Sequence, residues 1–386
     1  MDDKQLSQGL KELDYEIRRL EFELFNIKSE GFGKKSKAVV EDGQSNKTAN
    51  PALKQMLGFE VDPTYTNAMR YYLRRCPNGT DMYKKAAYRL FLAGIKKNDN
   101  PKCRFGVALC KYWGHGTELN HQHAGEILRD ADCGRIEAMA NNGDADAIII
   151  KYQILKLKLR LLKDSYNDEA QSRLLSVALC TPSASVFYFV AMERHSYSLL
   201  ESAARMGSVA ALIELGDMYY YGKGYKPFYT GTGVSLAKAR EFYGKGRDKD
   251  DLFCKKRLEE LEFFESGYRI YAGALEKYVT KENKIDTLVI PDAVSRISKN
   301  AFDGLTIGTL ILPDTVTFVS EDVFLKCRVS VIESNVIDAK KLKAAIVTRR
   351  ISKSVNGDSN HLSRGFGRVI ASAINTASSL LGKKQK

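Results

Sequence analysis

The sequence predicts a mostly α-helical chain in which a helical repeat solenoid is followed by a short β-solenoid. A coiled-coil-like helix precedes them and an amphipathic helix ends the chain. Three observations carry this prediction. The stretch around Tyr112 to Gly116 matches that around Tyr220 to Gly224, each with a Gly-x-Gly element followed by a helical pattern. The stretch from Ile285 matches that from Ile307, with short apolar runs stopped by Pro-Asp. At the N-terminal end, Leu and Ile alternate spacings of four and three.

Residues 1–30 form the first element. Leu6, Leu10, Leu13, Ile17, Leu20, Leu24 and Ile27 make a heptad seam sustained for three repeats. Eight acids against five bases give this segment a balance of −3. Phe22 and Phe25 fall outside the seam, so a second face is available for packing. Two readings stand side by side: an amphipathic helix docked on its own domain, or a homo-oligomer handle through residues 6–27. Residues 31–60 read as a flexible linker, rich in Gly, Lys, Ser and Asn over 31–52.

Residues 61–268 are expected to be the helical repeat domain. Tyr112-Trp113-Gly114-His115-Gly116 aligns with Tyr220-Tyr221-Gly222-Lys223-Gly224. A second helical pattern follows each element, and the later copy carries a longer connection in between. A partial copy starts at Ala140-Asn141-Asn142-Gly143 and mirrors Ala204-Arg205-Met206-Gly207. Small residues such as Ala203, Ala204, Gly207, Ala210 and Ala211 let helices approach closely, while Leu212, Leu215 and Tyr219 fill the space between neighbours. The glycines of Gly-x-Gly permit a sharp turn. No single pair buries its apolar face, so pairs stack.

The order Ala204, Gly207, Leu215, Gly216, Tyr219, Gly222, Gly224, Ala237, Tyr243 resembles the Sel-one-like branch of the tetratricopeptide repeats. The resemblance spans about 83–250, with one full copy at 203–244, a moderate one at 103–131 and a weak one at 138–152. That family usually carries Val and Asp after Gly-x-Gly; Tyr225-Lys226-Pro227 stands here instead, which departs from the usual loop. The resemblance implies a concave surface that binds another protein and no catalysis from the repeat itself. Residues 251–275 read as a helix joining this domain to the next, with Leu258, Leu261, Phe264 and Tyr268 on one face.

Residues 269–335 are expected to form the β-solenoid. The matched pairs are Leu288/Leu310, Ile290/Leu312, Pro291/Pro313, Asp292/Asp314, Val294/Val316, Ile297/Val319 and Phe302/Phe324, all at one constant spacing. A third turn begins at Val329-Ser330-Val331-Ile332. Proline lacks the ladder donor and belongs just past each strand. This stretch strongly resembles the BspA-type leucine-rich repeats, over about 285–335.

Residues 336–386 form a basic tail. Residues 340–386 hold eleven Lys and Arg against Asp358 alone, much of the chain's net charge of +13. Lys340, Lys341, Lys343, Arg349, Arg350, Arg364 and Arg368 suit an anionic surface, and Phe366, Ile370, Leu380 and Leu381 share the apolar side of a helical pattern. Three readings compete: a helix docked on its own fold, a helix lying on an anionic membrane surface, and a nucleic-acid contact through 340–368. Phe366 is the only aromatic residue there, which disfavours base stacking.

Little points to chemistry. Hydrophobic residues make up 44%, as in a folded soluble protein, and no apolar run is long enough to span a bilayer. The charged start lacks the apolar core of a secretory signal. Seven cysteines without a Cys-x-x-Cys pair suggest reduced thiols and a cytoplasmic protein, at most peripheral to a membrane. Gly31-Phe32-Gly33-Lys34-Lys35-Ser36 lacks the upstream Gly, the hydroxyl after Lys34 and the preceding strand of a phosphate loop. His115, His121 and His123 with Cys103, Cys110 and Cys133 match no zinc spacing. The expectation is a non-enzymatic scaffold with no metal, no cofactor and another protein as partner.

Overall fold

Short polar side chains start the helices. Thr64 caps α2 (Tyr65–Tyr72), Asn100 caps α4 (Pro101–Trp113), Asn120 caps α5 (His121–Ile127) and Asp144 caps α7 (Ala145–Lys156). Ser196, Ser208 and Asp251 do the same for α10 (Tyr197–Arg205), α11 (Val209–Tyr221) and α13 (Leu252–Leu261). Each accepts a hydrogen bond from a backbone N–H of the first turn, where no intrahelical carbonyl is available. The other helices are α1 (Asp3–Phe25), α3 (Met82–Asn98), α6 (Asp130–Asn141), α8 (Asp168–Ala178), α9 (Ala184–Arg194) and α12 (Leu236–Arg247). The computed structural model describes residues 3–25, 54, 56–77, 81–159, 168–181, 183–222 and 233–335. The chain divides into two compact units, Met1–Glu262 and Phe263–Lys386.

The first unit is mostly helical, and its repeats are structural. Helices α4 and α11 occupy matching places in the two copies and are equally long, 13 residues each. Both end on a glycine with positive φ, Gly114 at 67° and Gly222 at 60°. Helices α7 and α11 both follow a glycine turn, Gly143 or Gly207, as the partial copy requires. Successive helices pack in sequence: α3 on α4, α6 on α7, α9 on α10, α11 on α12, α12 on α13. The core includes Leu90, Phe91, Phe105, Ile150, Leu215, Tyr243 and Phe253, all buried.

The N-terminal seam is covered by the chain's own unit. Leu13, Ile17 and Leu20 are buried in the helical core, with Leu10 and Leu24 packed beside them. Helix α1 lies along α3. The handle reading needs that stripe open, and burial against α3 closes it. Leu6 and Ile27 carry no described side chain.

Among the described residues, the second unit contains two small sheets. In one, β3 (Lys284–Val289), β5 (Thr306–Ile311) and β7 (Arg328–Glu333) run parallel, with Leu288 opposite Leu310 and Leu310 opposite Ile332. In the other, β1 (Tyr268–Tyr271) turns back antiparallel onto β2 (Ala274–Tyr278), and β2 continues parallel through β4 (Arg296–Ile297) to β6 (Phe318–Val319). The register advances by the repeat spacing in both sheets, so equivalent residues stack: Leu275 under Ile297 under Val319. Ile290, Leu312, Val294, Val316, Phe302 and Phe324 are buried between the sheets.

The expected joining helix over 251–275 is half right. Helix α13 ends at Leu261, residues 262–267 turn, and Tyr268 begins β1. The turn closes at Gly267, whose φ of 92° is a conformation that other residues adopt only with strain. Val279 then donates its N–H to the Gly267 carbonyl at 2.8 Å, tying the segment to the sheet. The compact helical unit runs to Glu262 and includes α1.

Candidate protein-docking groove

Two residues of the repeat signature, Ala204 and Gly207, line a surface groove in the first unit. Helices α10, α11 and α12 surround a space of about 600 Å³ lined by Ala204, Gly207, Leu212 and Phe242, with Glu201, Arg205, Glu241, Lys245, Asp248 and Lys249 around them. Gly207 turns the chain from α10 into α11 at φ 95°, and a side chain there would meet the Lys249 ammonium. Leu212 is buried and forms part of the floor, while Arg205, Glu241, Lys245, Asp248 and Lys249 are exposed. Glu241 and Lys245 pair at 2.6 Å. The groove thus has an apolar floor ringed by both signs of charge.

The other signature residues set how closely the helices pack. Leu215 is buried in a cluster with Ala203, Leu200 and Met218. Gly216 lets the Tyr243 ring lie against α11. The Tyr219 ring stacks on Phe242 at 5.7 Å and 5°, the Lys238 ammonium lies 4.8 Å over its face, and its hydroxyl pairs with that of Tyr197 at 2.9 Å. Gly222 closes α11, and Gly224 lies outside the described residues. On α12 the sequence match points to Ala237, which is exposed; the small residues buried there are Ala239 and Gly246.

The helical unit also holds a charge network that sequence reasoning missed. Arg75, before α3, donates to Glu214 and to Asp217 on α11, and Tyr243 donates its hydroxyl to Asp217. Arg257 pairs with Glu260, both fully buried, and its guanidinium lies 4.4 Å from the Tyr220 ring centre and 5.3 Å from that of Tyr243. Burial and the Asp217 carboxylate push the Tyr243 hydroxyl well above its ordinary pKa. Arg75 and Asp217 stand 142 positions apart, so no local pattern links them.

A second network fixes an earlier turn. Asp132 is buried and pairs with Arg104, Arg129 and Arg135 at 3.2, 2.8 and 3.0 Å. Asp99 takes the same three arginines from its exposed position. The Arg104 hydrogen bond, with Arg129 behind it, holds the Asp99 carboxyl below the usual range.

The histidines and cysteines do not converge. His115 meets the Tyr72 hydroxyl at 2.8 Å, and His121 packs edge-on to Tyr112. Burial pushes the Cys103 and Cys110 thiols up to about 12, so neither carries a reactive thiolate. Among the described residues no group of three His, Cys, Asp or Glu is placed to hold a metal ion, and no helix is long and apolar enough to cross a membrane.

In the second unit, Leu288, Phe302, Leu310 and Phe324 are buried, and Pro291 and Pro313 follow β3 and β5 half-buried. They are core and strand-end residues, not surface ones. The tail residues Lys340, Lys341, Lys343, Arg349, Arg350, Arg364, Phe366, Arg368, Ile370, Leu380 and Leu381 lie outside the described residues.

No family model matches the chain. One stretch is similar to an uncharacterized Sel1-like repeat-containing protein of Schizosaccharomyces pombe, 31% identical over 93 residues, covering 20% of this chain and 14% of the relative. The match therefore spans only about a seventh of that relative's length. A crystal structure of a Sel1 repeat protein from Oxalobacter formigenes is similar with a TM-score of 0.27 and 14% identity, over 64% of this chain and 90% of that one. The chain thus contains a segment like Sel1 repeats within a mostly helical body.

Proposed function

We propose that the chain is a non-catalytic scaffold whose α10–α12 groove docks a segment of another protein. One observation carries the reading. The signature residues Ala204 and Gly207 line an open groove of mixed charge, while the buried charges Asp217, Arg257 and Glu260 already have partners within the unit. The similarity to a Sel1-like repeat-containing protein supports the same view. In this reading the second unit is a leucine-rich β-solenoid of the BspA type, supported by parallel strands whose register advances by the repeat spacing. It adds a further face rather than a reactive cleft.

The test is affinity capture with the full chain against an Arg205→Glu/Lys245→Glu/Lys249→Glu variant whose circular dichroism and melting match the wild type. A protein recovered by the wild type and lost by the variant, and then bound directly when purified, is the expected result. Partners recovered equally by both would end the groove reading.

The charge of residues 340–386 favours a second role, peripheral attachment to anionic membrane. Flotation with phosphatidylserine vesicles should fail when Lys340, Lys341, Lys343, Arg349 and Arg350 are changed to Glu. Unchanged flotation, or none from the wild type, removes that role.

A further inference from the structure

Helix α1 sits on α3 and α4 through a row of acid–base pairs. Asp14 meets Lys85 at 2.8 Å, Glu16 meets Arg89 at 2.9 Å, Glu23 meets Lys96 at 2.6 Å, and Glu21 meets Lys111 at 2.7 Å. Glu21 also accepts the Tyr88 hydroxyl at 2.6 Å. Arg89 grips Glu16 with two parallel bonds, a fork geometry that selects for position as well as charge. Partner numbers rise together along both helices, so α1 and α3 run parallel. Beneath the charges, Leu13, Ile17 and Leu20 fill an apolar track.

Two features separate this contact from an ordinary core helix. Four of its polar contacts join acids on α1 to bases on the array, so salt weakens it. Phe25 and Lys54 stand 29 positions apart in the sequence. A tethered helix on such a connection competes at an effective concentration of about millimolar, which an outside helix can overcome only by binding tightly.

We propose that the α3–α4 face under α1 is a docking surface for acidic amphipathic helices, and that α1 is its resident occupant, shielding it from partners. The outside occupant is a helix of another protein with the same design. It has apolar residues at heptad spacing and carboxylates placed to meet Arg89, Lys96 and Lys111. This surface is distinct from the α10–α12 groove, and its test does not involve that groove.

The experiment uses the full chain and a fluorescent synthetic peptide of residues 1–27 as the probe, with anisotropy read at low ionic strength. Glu16→Gln/Glu23→Gln in the chain loosens α1 without touching its apolar seam. That chain should bind the peptide at least tenfold more tightly than the wild type. Adding Arg89→Glu should erase the gain, and a peptide bearing Glu16→Arg should restore it. Circular dichroism shows that each variant is folded; should one unfold, Lys96→Glu in place of Arg89→Glu repeats the comparison against a peptide with Glu23→Lys. Equal binding by the wild type and the loosened chain overturns the proposal, as does a gain that survives loss of the basic partner.

Discussion

A Cβ built on Gly216 would lie 2.5 Å from Cε1 of Tyr243, well inside contact distance. Helices α11 and α12 therefore approach at a point where only glycine fits. Tyr243 cannot move aside, because it is buried and its hydroxyl is bonded to Asp217. Gly216→Ala should destabilise the helical unit by about 1–3 kcal/mol, as overpacking does. Gly244 on α12 has nothing within 4 Å of its missing side chain, so Gly244→Ala should stabilise by about 0.5–1 kcal/mol through helix propensity. Urea titrations compare the two, and equal effects would refute the close-approach account.

The Arg257–Glu260 pair separates geometry from charge. Arg257→Met leaves the Glu260 carboxylate buried without its cation, a change that costs about 3–5 kcal/mol in such sites. Arg257→Met/Glu260→Met removes both charges and keeps the volume, so most of that loss should return. A double variant as unstable as the single one would mean that packing around the Tyr220 and Tyr243 rings, not the loss of the guanidinium beside Glu260, sets the penalty.

What the sequence revealed and what it hid have physical causes. The match between the two helical copies became two helices of equal length, because Gly-x-Gly and the small residues act locally, through turns and neighbouring helices. The spacing of Leu288 from Leu310 became strand register for the same reason: an equivalent residue must sit directly above its copy. The seam of α1 announced an apolar stripe but not its partner, since two helices in parallel contact at an offset of 73 leave no periodic trace. The joining helix stopped at Leu261, and Tyr268, which fits a helical face by spacing, pairs as a strand. Arg75 was invisible for lack of any rule that ties one arginine to two acids on a distant helix.

His115 gives the helical unit a pH dependence near neutrality. Burial, with the Lys84 ammonium adding to it, holds the imidazole below its ordinary value of 6.5. The unfolded chain therefore takes up a proton that the folded one refuses. Stability is complete above about pH 6.5 and falls as the pH drops from there. His123 shifts the same way, again mainly through burial. His115→Gln should flatten the loss between about pH 6.5 and 5, where His123 still contributes. Below about pH 4, Asp99, Asp132 and Asp144 add a separate loss, because their partners hold each carboxyl low. Thermal melts across this range check the sign, and a variant with an unaltered slope above about pH 5 would remove His115 from the account.

Adjacent residues on β3 test whether the second unit is held by its stacked apolar columns. Leu288 is 2% exposed and lies opposite Leu310, whereas Val289 is 54% exposed on the outer face. Leu288→Ala leaves a cavity between neighbouring strands and should cost about 2–5 kcal/mol. Val289→Ala should stay within about 0.5 kcal/mol. Phe302→Ala removes a larger buried plug and should cost about 3–5 kcal/mol. Because each strand gains its burial from the next, the loss should spread: amide hydrogen exchange should quicken in β3, β5 and β7 together, while α11 and α12 keep their protection. Faster exchange confined to β3 would mean that the strands are stabilised one by one and not as a stack.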